Sequence, residues 1–221
     1  MRKLNNHRPS IMQHKEFPSV ICFASGILLN VALAFLVHFL DLPMYLDTIG
    51  TIAVAALSGP FPGIATAIVT NVVCALFNNG SIYFAILNVL ISLISFYFFR
   101  IRLLKKPGFV ILWILILALI NGGLGGIIQW ALLGSPQFAS IADASEVFAE
   151  TTGMSRLTAF LIINILVNLI DKTISCLTAL LIIKNLPEKI RNTIEEGGWK
   201  QRNRSRISDT RPERSRRCRK A

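Results

Sequence analysis

Apolar positions in this chain come in long unbroken runs, with polar and charged positions gathered between them. A helix needs about 20 apolar residues to cross a bilayer core. Residues 20–40 meet that length with no Lys, Arg, Asp or Glu, residues 83–99 meet it with their flanks, and residues 109–133 exceed it. Residues 157–183 also qualify, interrupted only by Asp171 and Lys172. The stretch 42–77 is equally apolar but is split by Ser58-Gly59-Pro60-Phe61-Pro62-Gly63. Two prolines and two glycines so close together break a helix, so two helices are predicted, over 43–57 and 61–77. The first would be roughly 22 Å long at the usual rise, short for a crossing. The expected fold is an all-α integral membrane protein, a six-transmembrane-helix bundle with a short second helix and a GPFPG turn. A re-entrant pair over 43–77 is the competing arrangement.

Charge adds the sidedness. The chain of 221 residues holds 23 Lys and Arg against 12 Asp and Glu. Residues 1–18 carry Arg2, Lys3, Arg8 and Lys15, the connection after residue 99 carries Arg100, Arg102, Lys105 and Lys106, and a basic tail begins at Lys184. The opposite ends of the runs carry Asp41, Asp47, Asp143, Glu146 and Glu150 with Arg156 alone. The positive-inside rule therefore predicts a multi-pass protein of the cell membrane with both termini cytoplasmic. Residues 1–18 read as a cytoplasmic segment, 19–187 as the membrane domain and 188–221 as a basic tail without fixed structure. Attraction to anionic lipid accounts for that tail without nucleic acid. Charged residues make up 16% of the chain, below the quarter usual in soluble domains, which argues against a soluble fold. Cys22, Cys74, Cys176 and Cys218 share no loop and no metal-ligand spacing, so neither a disulfide framework nor a metal site is expected.

Polar residues inside the apolar runs are the candidates for function. Asn164, Asn168, Asp171, Ser175 and Thr178 follow helical spacing and form one stripe on the last helix. Lipid cannot satisfy these groups, so the stripe faces other helices or water. Interhelical hydrogen bonding is one account of the asparagines. An intramembrane charge such as Asp171 more often marks a pathway or a coupling site, with Lys172 reaching back to it or snorkelling to the membrane face. Gly122 and Gly126 form a GxxxG pair that allows close helix packing. Toward the external ends of the helices, amides and aromatics converge: Asp47, Asn78, Asn79, Asn88, Gln129, Trp130, Asn164 and Asn168 are the expected substrate-binding residues. Amides that orient and a ring that stacks suit a small polar organic molecule. The 134–155 loop has an acidic middle that allows a short surface helix. No nucleotide-binding loop or hydrolase motif is present in the sequence, so an enzyme is not expected, and no cofactor.

The segment LDTIGTIAVAALSGPFPGIATAIVTNVV resembles the second and third helices of substrate-specific S components of energy-coupling-factor (ECF) vitamin transporters. Its Gly59-Pro60-Phe61-Pro62-Gly63 turn and the Asp171-Lys172 pair in VNLIDKTISCLTALLIIKNLP carry the likeness, which covers about residues 20–187. The resemblance implies the substrate-binding membrane subunit of an ECF-type importer that captures a vitamin or similar micronutrient from outside. It implies docking on a membrane T component driven by two cytoplasmic ATPases, with Gly26, Ala34, Gly63 and Ala67 as the small-residue coupling positions. The nickel and cobalt members begin Met-His, whereas this chain begins Met1-Arg2, so an organic solute is expected. The alternative is a transmembrane ligand-sensing module related to sensor-kinase input domains.

Overall fold

A computed structural model describes residues 13–134, 136 and 138–197. Eight helices and no strand are found among them. They are α1 (Gln13–Phe39), α2 (Ile49–Ser58), α3 (Pro60–Cys74), α4 (Ala85–Arg100, entered through a 3-10 turn Asn79–Phe84), α5 (Pro107–Leu133), α6 (Ala139–Thr152), α7 (Arg156–Asn185) and α8 (Glu188–Gly197). Four helical stretches are long and apolar enough to cross a membrane: Ser19–Phe39, Asn79–Arg100, Pro107–Leu133 and Arg156–Asn185. Large apolar side chains such as Leu28, Phe35, Ile86, Ile111, Leu166 and Leu181 stay exposed on their outer faces, as lipid contact requires. The protein is therefore an all-helical, multi-pass membrane protein by length and composition.

The pair at 43–77 departs from expectation at both ends of its first helix. Residues 43–48 are not helical, and α2 has only 10 residues, about 15 Å at the usual rise. The break is also tighter than the three residues, 58–60, expected between the two helices. Gly59 alone leaves the helical path, at φ 102°, and Pro60 already opens α3. Pro60 and Pro62 are tolerated because the N–H groups of a first helical turn have no intrahelical partner to lose.

A helix beginning inside the bundle must find partners for its first N–H groups. Asn30 of α1 supplies one, since its Oδ1 accepts from Gly50 N at 2.6 Å. Its amide nitrogen donates to Thr51 Oγ1 at 3.0 Å and Thr70 Oγ1 at 3.3 Å, so one fully buried asparagine ties α1, α2 and α3 together. Gly26 and Gly50 let α1 and α2 touch backbone to backbone, and a Cβ on Gly50 would overlap the Gly26 carbonyl. On the other side of the bundle the GxxxG pair does the same for α5 and α7: a Cβ on Gly122 would lie 2.6 Å from Ile165 Cα.

The apolar core joins Ile49 and Ile52 of α2, Ile91 of α4, Trp113, Ile114 and Leu117 of α5, and Cys176 and Ala179 of α7. A second cluster, Val37, Phe138, Ile141 and Phe160, seats α6 on α7 and α1. Arg156 and Glu146 add an exposed ion pair at 3.2 Å. The expected surface helix in the 134–155 loop is thus α6. The tail differs from its expectation: residues 188–197 form α8, which packs on α1 and α2 with Ile194 buried. Residues 1–12 and 198–221, including Cys218 and most of the basic tail expected to meet anionic lipid, lie outside the described residues.

Candidate functional site

Asp171 stands near the midpoint of α7, and the non-helical residues 43–48 are built around it. Its Oδ1 accepts from Tyr45 N at 3.1 Å and Leu46 N at 2.8 Å. Leu46 has φ 46°, a left-handed conformation that costs a leucine on the order of 1–2 kcal/mol, and the carboxylate holds it there. Lys172 does not snorkel. Its Nζ lies 2.7 Å from Asp171 Oδ2 and donates to Thr48 Oγ1 at 3.2 Å, and both charged side chains are fully buried. Adjacent helix positions meet only because the long lysine stem bends back toward the bundle axis. The pair thus fixes the connection into α2 from the side of α7.

Asp47 lies in the same loop, one residue beyond Leu46. Its Oδ2 accepts from Asn88 Nδ2 at 2.9 Å, while its buried Oδ1 has no hydrogen-bond partner. Two small cavities meet at this carboxylate. The first is polar, lined by Tyr45, Asp47, Asn71, Ser81, Phe84, Asn88, Asn121 and Asn168. The second is more apolar and lies toward the α6 end, with His38, Met44, Phe77, Asn78 and Phe138 in its wall beside Tyr45, Asp47 and Ser81. Tyr45 lines both. Its ring sits 5.4 Å from that of Phe138 and 6.2 Å from that of Phe84, and its hydroxyl accepts from Gln129 Nε2 at 2.8 Å.

No protein-family model, no curated protein and no solved structure matches this chain. The site therefore has to be judged on its own geometry.

Of the eight residues expected to bind substrate, Asp47, Asn88 and Asn168 line the polar cavity and Asn78 lines its neighbour. Gln129 reaches the site only through Tyr45. The other three sit elsewhere. Asn164 donates to the Gly122 carbonyl at 2.8 Å, inside the α5–α7 contact. That carbonyl belongs to a π-helical stretch, Ile120–Leu124, where the regular ladder is interrupted, and it accepts from Gly125 N as well. Trp130 follows the inward-facing Gln129 by one position, which turns it about 100° round the helix. It is 37% exposed and stacks on Phe160 at 5.9 Å, outside both cavities. Asn79 is exposed in the 3-10 turn.

The small residues expected to meet a partner are used inside the chain. Gly26 faces Gly50 and Val54, and Gly63 faces Ala55 and Ser92. Ala67 is fully buried and Ala34 lines the second cavity. Close internal packing accounts for the small size of Gly26, Gly63 and Ala67. Asn71 and Asn121, which also line the polar cavity, were not among the expected site residues. Asn121 turns inward in a π-helical stretch that apolar periodicity does not reveal.

Proposed function

We propose that this chain is the substrate-capturing membrane subunit of an importer, of the ECF S-component kind, and that the cavities at Asp47 receive the solute. The observation that carries the reading is a half-buried carboxylate whose buried Oδ1 has no partner, at the junction of a polar and an aromatic cavity, inside a bundle of apolar helices. Buried polar groups are nearly always paired, and unpaired ones gathered at a cavity mark a place that a ligand completes. The core of each cavity has room for little more than a water, so a vitamin-sized solute enters by parting residues 40–48 from the wall.

In this reading the long helices alternate in direction; α8 packs back on the α1–α2 pair. With the half-helix pair α2–α3 counted, this reading has six membrane helices. Arg100, Arg102, Lys105, Lys106 and Lys184 then gather at the cytoplasmic end and the cavities open outward. The sequence has no nucleotide loop, so concentrative uptake depends on a separate ATPase and a membrane T component. The test is uptake by cells or liposomes holding this protein with and without such partners. The reading expects accumulation only with partners and ATP. Accumulation by the lone protein without ATP would overturn it.

A further inference from the structure

The polar cavity gathers a cluster of unpartnered oxygens, and this bears on what can fill it. A side-chain amide offers two donors on nitrogen and an acceptor on oxygen. Asn88 spends its nitrogen on the Asp47 carboxylate at 2.9 Å, Asn168 on the Asn164 carbonyl at 2.9 Å, and Asn71 on the Ala67 carbonyl at 2.8 Å. A backbone carbonyl or an ionised carboxylate only accepts, so these bonds fix which end of each amide is which. The oxygens are left for the cavity. Those of Asn88, Asn121 and Asn168 are buried without a partner, as is Asp47 Oδ1. Asn88 and Asn168 are each 1% exposed and Asn121 9%.

Charge points the same way. Two carboxylates, half-buried Asp47 and buried Asp171, stand here with one buried ammonium, Lys172, which pairs with Asp171. Among the described residues no cation forms an ion pair with Asp47. Four unpartnered oxygens, one of them on a carboxylate, are completed by a group that is positively charged and rich in N–H donors.

We infer that the solute carries a cationic nitrogen head, an ammonium or amidinium bearing several N–H donors, which Asp47 and the oxygens of Asn88, Asn121 and Asn168 receive. An apolar or aromatic body would extend past Tyr45 into the second cavity, between Phe77 and Phe138. The inference rests on the capture-subunit reading and narrows its substrate class.

The experiment is calorimetric titration of the full-length protein in detergent with three fragments of one shape: benzylammonium, benzyl alcohol and benzoate, at constant potassium chloride. Benzylammonium is expected to bind, benzyl alcohol on the order of tenfold more weakly for want of the charge-assisted bond, and benzoate more weakly still. Asp47→Asn, which can still accept from Asn88, should reduce benzylammonium to the level of benzyl alcohol. Asn121→Ala removes an oxygen that bonds to nothing in the chain. It should leave thermal unfolding unchanged and weaken benzylammonium several-fold, which keeps the test decisive if Asp47→Asn does not fold. The inference is overturned if the wild type fails to bind benzylammonium, if the alcohol or benzoate binds as tightly, or if both variants bind like the wild type. It is overturned too if sodium chloride in place of potassium chloride displaces the fragment, since the oxygens would then be an inorganic cation site. A solute that is anionic would pass the uptake test and fail this one, so the two readings fall separately.

Discussion

Replacing Lys172 with methionine removes one charge from a pair that has no water to fall back on. The stem keeps its length and apolar packing, so the perturbation is electrical. Asp171 would keep its bonds from Tyr45 N and Leu46 N but lose the ammonium at 2.7 Å, and Thr48 Oγ1 would lose a donor at 3.2 Å. Breaking a fully buried pair from one side costs about 3–5 kcal/mol, because the remaining charge is left in a poor solvent. Removing both charges costs far less, since Asp171→Asn still presents an oxygen to the two backbone N–H groups. The double variant Asp171→Asn with Lys172→Met should therefore recover most of the loss. Unfolding in mixed micelles with increasing dodecyl sulfate, followed by circular dichroism, gives all corners of the cycle. A Lys172→Met protein within about 1 kcal/mol of wild type would refute the argument, the usual cost of breaking such a pair being several times larger. So would a double variant no better than the single one.

Other outcomes follow from packing and topology. Gly50→Ala places a Cβ on the Gly26 carbonyl, a backbone atom that cannot give way, and should destabilise by about 1–3 kcal/mol or prevent folding, whereas Gly108→Ala, with nothing within 4 Å, should be neutral or stabilise by up to about 1 kcal/mol in the same unfolding assay. Asn164→Leu removes the interhelical donor to the Gly122 carbonyl, which keeps Gly125 N, and should cost about 1–3 kcal/mol in stability while leaving the affinity of the folded protein for benzylammonium unchanged. In a cysteine-free background, a thiol-reactive probe outside intact cells should label Ser140→Cys and not Lys106→Cys, and labelling of Lys106→Cys would reverse the orientation.

The helices were legible because lipid imposes one requirement, a continuous apolar run, and the sequence meets it plainly. The stripe on α7 was legible for the same reason: Asn164, Asn168, Asp171 and Ser175 are buried as helical spacing required, and Thr178, the last of the five, is half-buried. The first half of the segment 43–57 was not legible. Its apolar residues fit a helix, but Asp171, more than 120 residues away in sequence, captures two of its N–H groups and holds it open. The direction of Lys172 was equally undecidable, because snorkelling and bending back both satisfy helical periodicity. Half of the expected substrate residues line the cavities. The remainder were misplaced by local backbone detail: a π-helical stretch at Ile120–Leu124 presents the Gly122 carbonyl to Asn164, and the inward turn of Gln129 sends Trp130 outward. The small residues signalled a close approach correctly but not which surface approaches, and the answer is the chain's own α2, α4 and α7.

The central claim is that the cavities at Asp47 hold a captured solute, and native mass spectrometry of the protein released from its own host membranes tests it most directly. The wild type should retain a small organic molecule. Asp47→Asn, purified alongside and folded, should have lost it. A wild type that carries no small molecule, or a variant that carries the same one at the same occupancy, would contradict the account.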